Sequence, residues 1–98
     1  MDPRTEISGG RIAGSSENGV LVFRGIPYAR APQGPLRLRA PQPAERWPGV
    51  RYARAFGASA PQSPGRLAAL LGSPTETFAE DCLYLNVWTP GVDAARRP

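Results

Sequence analysis

The 98-residue chain has no histidine and no lysine, a single cysteine (Cys82) and a single methionine at its start. Without histidine, this sequence assembles no Ser-His-Asp or Cys-His triad of its own. One cysteine and no histidine also leave no Cys/His zinc set, and a lone thiol closes no internal disulfide. Long apolar runs are missing as well. Leu67-Ala68-Ala69-Leu70-Leu71 falls far short of the ~20 residues a membrane span requires. The N-terminus, Met1-Asp2-Pro3-Arg4-Thr5-Glu6, carries charges of both signs with no apolar run behind it, so no targeting signal is expected. The expectation is a soluble, cytoplasmic protein without a membrane partner, and an unpaired cysteine suits a reducing compartment. Large aliphatic side chains are scarce: Leu, Ile, Val and Phe number 19 in all, near the ~20% bound associated with disorder. A poor core is expected if the chain folds alone.

What fills the space is alanine (14), arginine (12), proline (12) and glycine (11). Twelve arginines against eight acids give a net charge of +4. Nucleic-acid binders cluster basic residues and interleave them with aromatics. Here the arginines are scattered along the whole chain, and no nucleic-acid partner is expected. Their densest stretch, Leu36-Arg37-Leu38-Arg39, alternates as a strand would, with both Arg on one face. That face is open to three readings: solvated, engaged in internal ion pairs, or contacting nucleic acid.

Residues 5–13 read as a short strand weakened by Gly9 and Gly10. The cluster Gly14-Ser15-Ser16-Glu17-Asn18-Gly19 reads as a turn, ending in the Asn-Gly pair best suited to positive φ. Val20-Leu21-Val22-Phe23 is a second strand, so a β-hairpin is expected. Residues 25–49 hold six prolines, which exclude a regular sheet or a long helix. Ile26, Tyr28, Leu36, Leu38 and Trp47 are the candidate anchors of this stretch. Val50 to Phe56 is a possible short strand. Residues 63–72 carry helix punctuation: Ser63 as cap, Pro64 in the first turn and Gly72 after the end. Leu83 to Thr89 is the strongest strand, and its mixed apolar faces point to burial on both sides.

Chemistry-bearing patterns are weak. Gly57-Ala58-Ser59-Ala60-Pro61 approaches the G-x-S-x-G elbow, but Pro61 stands where that turn needs glycine. Glu80-Asp81 is the only adjacent acid pair, and pairing with arginine is its expected use. Cys82 is expected to be a buried, inert thiol. Gly25, Gly34 and Gly49 form no phosphate loop, so no cofactor and no metal are expected.

The segment Glu80-Asp81-Cys82-Leu83-Tyr84-Leu85-Asn86-Val87-Trp88-Thr89-Pro90 resembles the E-D-C-L-Y-L-N-V-W-x-P signature of the type-B carboxylesterases, the family that includes the cholinesterases. Phe23-Arg24-Gly25-Ile26-Pro27-Tyr28-Ala29 is similar to its F-x-G-I-P-Y-A segment. Gly34-Pro35-Leu36-Arg37-Leu38 with Pro41-Gln42-Pro43 is similar to its G-x-L-R-F-x-x-P-x-P. Trp47-Pro48-Gly49-Val50 matches W-x-G-V, and Gly10-Arg11-Ile12-Ala13-Gly14 fits the opening G-x-V-x-G. The blocks follow the family order over residues 8–90.

The resemblance implies a fold and a reaction. The fold is α/β: the N-terminal portion of an α/β-hydrolase, here short antiparallel strands, Pro-rich loops and one short helix. Residues 1–98 would form a partial type-B carboxylesterase domain, with 91–98 a flexible tail. The family reaction is hydrolysis of carboxylic esters through an acyl-enzyme on serine. The family's oxyanion loop (H-G-G), nucleophile elbow (G-E-S-A-G), acid and histidine all follow the E-D-C-L signature, so the resemblance assigns no catalytic residue to this chain. The chain alone is expected to be inactive, and a small-molecule ester is expected as partner only of a completed domain. A non-catalytic interaction module or a remnant of the fold is the alternative expectation. The resemblance further implies a structural ion pair between Arg37 and Glu80. The cysteine that many members bridge to Cys82 is replaced here by Ala60, which implies that the loop 61–81 is less constrained. That loop also has no tryptophan of the kind that binds choline in cholinesterases.

Overall fold

The computed structural model describes residues 2–63, 65, 70 and 77–96. Two three-stranded sheets carry the fold. The first has the order β1-β2-β5, from Arg4–Ile7 (β1), Gly10–Ala13 (β2) and Val50–Tyr52 (β5). The second has the order β3-β4-β6, from Ser15–Glu17 (β3), Val20–Pro27 (β4) and Tyr84–Thr89 (β6). β5 lies parallel to β2, whereas the other pairings are antiparallel.

The expected single strand over 5–13 is two strands with a turn at Ser8-Gly9. The indole of Trp47 lies so close to Gly9 and Gly10 that a Cβ on either would meet the ring, and the Trp47 backbone N–H donates to the Gly9 carbonyl at 3.0 Å. The chain folds back where the indole needs a bare backbone. The expected turn over 14–19 is also shorter than its composition suggested. Only Asn18 and Gly19 form it, with φ of 51° and 80°, the positive pair a two-residue hairpin turn demands. Ser15–Glu17 before them is strand, paired with β4.

In the proline-rich stretch, β4 persists to Pro27, and Gly34–Leu36 makes a 3-10 turn. The strand-like alternation of Leu36–Arg39 does not become a strand. The Arg37 N–H donates to Gly34 O at 3.1 Å and the Arg39 N–H to Leu36 O at 3.2 Å, so the backbone coils and Leu38 takes a φ of 60°. Leu38 is consequently 97% exposed and anchors nothing, and Tyr28 is also exposed. Ile26 is buried, Trp47 packs against the core, and Leu36 is half-buried.

The segment after β5 ties the sheets together. The Ala53 N–H donates to Ala13 O at 2.7 Å, and Ala53 O accepts from the Arg24 N–H at 2.8 Å. Ile12, Phe23, Ile26 and Ala53 form the buried cluster behind this seam, with Ile7, Leu21 and Trp47 packed around it. β6 does not match the two-sided burial expected of it. Among the described residues it is an edge strand, paired only with β4, and Leu85, Val87 and Trp88 are exposed. Of the helix expected over 63–72, only residues 63, 65 and 70 are among those described.

Candidate functional site

The signature segments converge on the junction of β4, β6 and residues 53–57. The β4–β6 register slips between Phe23 and Ile26, and Gly25 sits in that irregularity. Its φ is +73°, and a Cβ there would stand 2.5 Å from the Ala55 carbonyl oxygen. Both the left-handed backbone and the close approach require glycine. The Gly25 N–H has left the strand ladder and donates instead to Asn86 Oδ1 at 3.0 Å. One asparagine side chain thus satisfies the amide that the bulge releases. Next to it, Tyr84 covers Gly57 so closely that a Cβ there would overlap the ring. The Tyr28 N–H donates to Leu83 O at 3.1 Å, continuing the pairing beyond Pro27.

Arg24 brings a charge into the junction. Its guanidinium holds Glu17 through two contacts, at 2.6 and 3.2 Å. The same group lies 5.1 Å from the Phe56 ring centroid and 5.6 Å from that of Trp88. It is therefore within cation–π range of aromatics from two different segments. The Arg24 hydrogen bond pulls the Glu17 carboxyl below its ordinary value. Ser15 Oγ donates to Glu17 at 3.2 Å, but a carboxylate held by arginine with a lowered pKa is a poor base for a serine.

A cavity of about 330 Å³ opens beside this junction, lined by Arg51, Tyr52, Phe56, Asp81 and Tyr84 among others. Burial raises the Tyr84 pKa, and its hydrogen bond to Asp81 raises it further. The phenol stays protonated and serves as a donor. Trp47, the head of the W-x-G-V block, donates from Nε1 to Arg11 O at 2.9 Å and carries Arg51 over its ring at 5.4 Å. Among the described residues, no three His, Cys, Asp or Glu side chains gather as a metal site needs.

Arg37 Nε lies 3.6 Å from Glu80 Oε1, with side chains 69% and 45% exposed. So open a pair is worth about 0.2–1 kcal/mol. Asp81 is hydrogen-bonded with Tyr84. Cys82, expected to be buried, is half-buried with a free thiol, two positions before β6. Ala60 follows a backbone bridge, Ser59 to Phe78, in which the Ser59 N–H donates to Thr77 O at 2.9 Å and Ser59 O accepts from Ala79 at 3.0 Å. That ladder closes the base of the loop. Leu85 and Val87 line a groove on the other face of β6. After Thr89, whose hydroxyl donates to Gly91 O at 2.9 Å, Pro90 ends the strand.

The residues that sequence reasoning missed are Arg24, Glu17, Gly57 and the Gly25–Asn86 pair as partners. Arg24 occupies an unspecified position of its motif, so the motif gave no reason to single it out. Counting along the Asn-Gly hairpin sets Glu17 opposite Val20, four positions from Arg24, so the turn alone does not name the pair. Gly57 gave no local signal, because its neighbour Tyr84 is remote in sequence.

Taken together, the junction consists of register-setting contacts between motif segments, on a strand-rich scaffold. The sequence matches the model of the carboxylesterase family over residues 1–98; the chain belongs to that family. It is 47% identical over 98 residues to phenmedipham hydrolase of Pseudarthrobacter oxydans, covering 98% of this chain and 20% of that protein. It is 42% identical over 89 residues to para-nitrobenzyl esterase of Bacillus subtilis, covering 91% of this chain and 18% of the relative. Among solved structures, a carboxylesterase of Geobacillus stearothermophilus superposes with a TM-score of 0.78 at 40% identity, over 97% of this chain and 18% of that one. The chain thus spans about a fifth of the length of these relatives, and the strand-rich architecture is that of the matching part of carboxylesterases.

Proposed function

We propose that the chain forms the leading part of an α/β-hydrolase domain that hydrolyses carboxylic esters through an acyl-enzyme on serine, without cofactor. In this reading its own residues do no bond-breaking. They set the register of β4 against β6 and hold the strand that leads towards the catalytic segments. The observation that carries the reading is the family match along the whole chain, joined to a junction in which the signature residues Asn86 and Trp88 contact Gly25 and Arg24 of the Phe23–Ala29 block and Tyr84 packs on Gly57. The nucleophile, acid, histidine and oxyanion donors come from the rest of the domain, and a small carboxylic ester is the substrate class.

The test is a chimera in which residues 1–98 replace the matching segment of B. subtilis para-nitrobenzyl esterase. The chimera is expected to hydrolyse p-nitrophenyl acetate, while the 98-residue chain alone gives the buffer rate. A folded chimera without activity, or hydrolysis by the chain alone, would contradict the reading.

A further inference from the structure

Asparagine is one of the chemically labile residues of proteins. The chain has two, Asn18 and Asn86, and the fold treats them in opposite ways. Asn86 lies within β6, accepts the Gly25 N–H at 3.0 Å and is followed by the β-branched Val87. Asn18 stands at the tip of the β3–β4 hairpin, where residues 16–20 are all exposed. Its successor, Gly19, has open space around the place where a Cβ would stand. Among the described residues, the Gly19 N–H meets no backbone acceptor and the Asn18 carboxamide has no hydrogen-bond partner. A backbone nitrogen without cover thus follows a carboxamide that nothing holds. Bringing the two together takes a rotation about the Asn18 Cα–C bond. Glycine's conformational freedom and the bare tip leave that rotation opposed by the turn geometry alone.

We propose that Asn18 is a self-modification site, at which the chain converts asparagine to aspartate and isoaspartate without an enzyme. The Gly19 nitrogen attacks Asn18 Cγ. The N–Cγ bond forms, the Cγ–Nδ2 bond breaks, and ammonia leaves with the proton that the Gly19 nitrogen gives up. Water then opens the cyclic imide, its hydroxyl joining one carbonyl carbon and its hydrogen returning to the Gly19 nitrogen. Opening at Cγ gives aspartate. Opening at the backbone carbonyl gives isoaspartate, whose main chain is longer by a methylene. Either product lowers the net charge from +4 by one. The position decides the consequence. The two-residue turn sets Glu17 opposite Val20 and Ser15 opposite Val22, a register that a lengthened turn cannot keep. β3 is only three residues long, and its Glu17 holds the Arg24 guanidinium that meets Phe56 and Trp88. Isoaspartate at this position therefore unlatches β3 and takes Glu17 away from Arg24.

The test ages the full chain at neutral pH, with and without denaturing urea, and follows it by ion exchange and peptide mass mapping. An acidic fraction is expected, its amide exchanged for hydroxyl at residue 18. In the folded chain it should form within about tenfold of its rate in urea, because opening an exposed tip costs little. Asn86 in the folded chain should trail by about tenfold or more, since it must first release its bond to Gly25. The isoaspartyl fraction should unfold at a urea midpoint lower by about 0.5–1.5 M for each ladder bond of β3 that is lost. Asn18→Gly, which keeps the positive φ and removes the carboxamide, should form no such fraction and keep its midpoint on ageing. A folded chain that retains the Asn18 amide, whatever the urea arm shows, would overturn the site. Conversion of Asn86 ahead of Asn18 would overturn the contrast on which the site rests. An isoaspartyl fraction with the parent's midpoint would overturn the unlatching of β3.

Discussion

Alanine at position 25 should damage this fold far more than alanine at position 19, although both glycines hold positive φ, 73° and 80°. At Gly19 nothing lies within 4 Å of an added Cβ. The cost there is the left-handed backbone alone, about 1–2 kcal/mol. It is offset by about 0.4–1 kcal/mol because alanine restricts the unfolded chain. Gly25→Ala carries the same terms and adds a Cβ 2.5 Å from the Ala55 carbonyl oxygen and 3.4 Å from the Gly57 nitrogen. Both are backbone atoms, so relief means moving the chain by several tenths of an ångström and stretching the 3.0 Å bond from Gly25 to Asn86. Overpacking of this kind costs about 1–3 kcal/mol. The two variants should therefore differ by roughly 1–3 kcal/mol, a large part of the ~5 kcal/mol at the low end of domain stability. Urea unfolding followed by the fluorescence of Trp47 and Trp88 measures the difference. With a slope of about 1 kcal/mol per molar for a small chain, the midpoints should separate by about 1–3 M. Equal midpoints would refute the claim that the close approach at Gly25, beyond its φ, fixes the β4–β6 register.

Three further outcomes are expected. Asn86→Ala strands the Gly25 amide and should cost about 1–3 kcal/mol in the same assay, with a cost after Gly25→Ala that is not additive. The Glu17 carboxyl titrates below its ordinary 4.5 in the folded chain. The unfolded chain therefore binds more protons near that value, and stability from the pair, present above 4.5, is lost as the pH falls through the folded pKa. Glu17→Gln should flatten the melting temperature against pH in that acidic window and nowhere above it. Arg37→Ala should lower stability by only about 0.2–1 kcal/mol, and added salt should shrink that loss; a loss above ~2 kcal/mol would mean the pair is buried to a degree that its exposure excludes.

Much of the fold is written locally. Asn18-Gly19 names its own hairpin, the Val20–Phe23 run names β4, and the apolar run after Cys82 names β6. The failures share a cause. Trp47 splits the first strand by packing on glycines almost forty positions earlier, a relation that no window of neighbouring residues contains. Leu36–Arg39 alternates like a strand, but the Gly34-Pro35 start and its backbone hydrogen bonds commit it to a coil. β6 reads as interior from its side chains, and its edge position depends on what pairs with it rather than on its own residues. The contacts of the site were the least legible part. The motif blocks were readable as blocks, yet the Gly25–Asn86 bond spans 61 positions, and Arg24 stands where its motif prescribes no residue.

The central claim is that the signature residues act on register and stability, with the bond-making chemistry carried elsewhere in the domain. It is tested most directly by Asn86→Ala in the chimera with B. subtilis para-nitrobenzyl esterase, comparing turnover per titrated active serine with the melting temperature. The expected result is a lowered melting temperature, by about 4–8 °C for each kcal/mol lost if the leading part unfolds as a unit of this size, with turnover per active site within about twofold of the parent. An unchanged melting temperature with turnover per site reduced tenfold or more, about 1.4 kcal/mol of lost transition-state stabilisation, would contradict the account and place Asn86 in the chemistry itself.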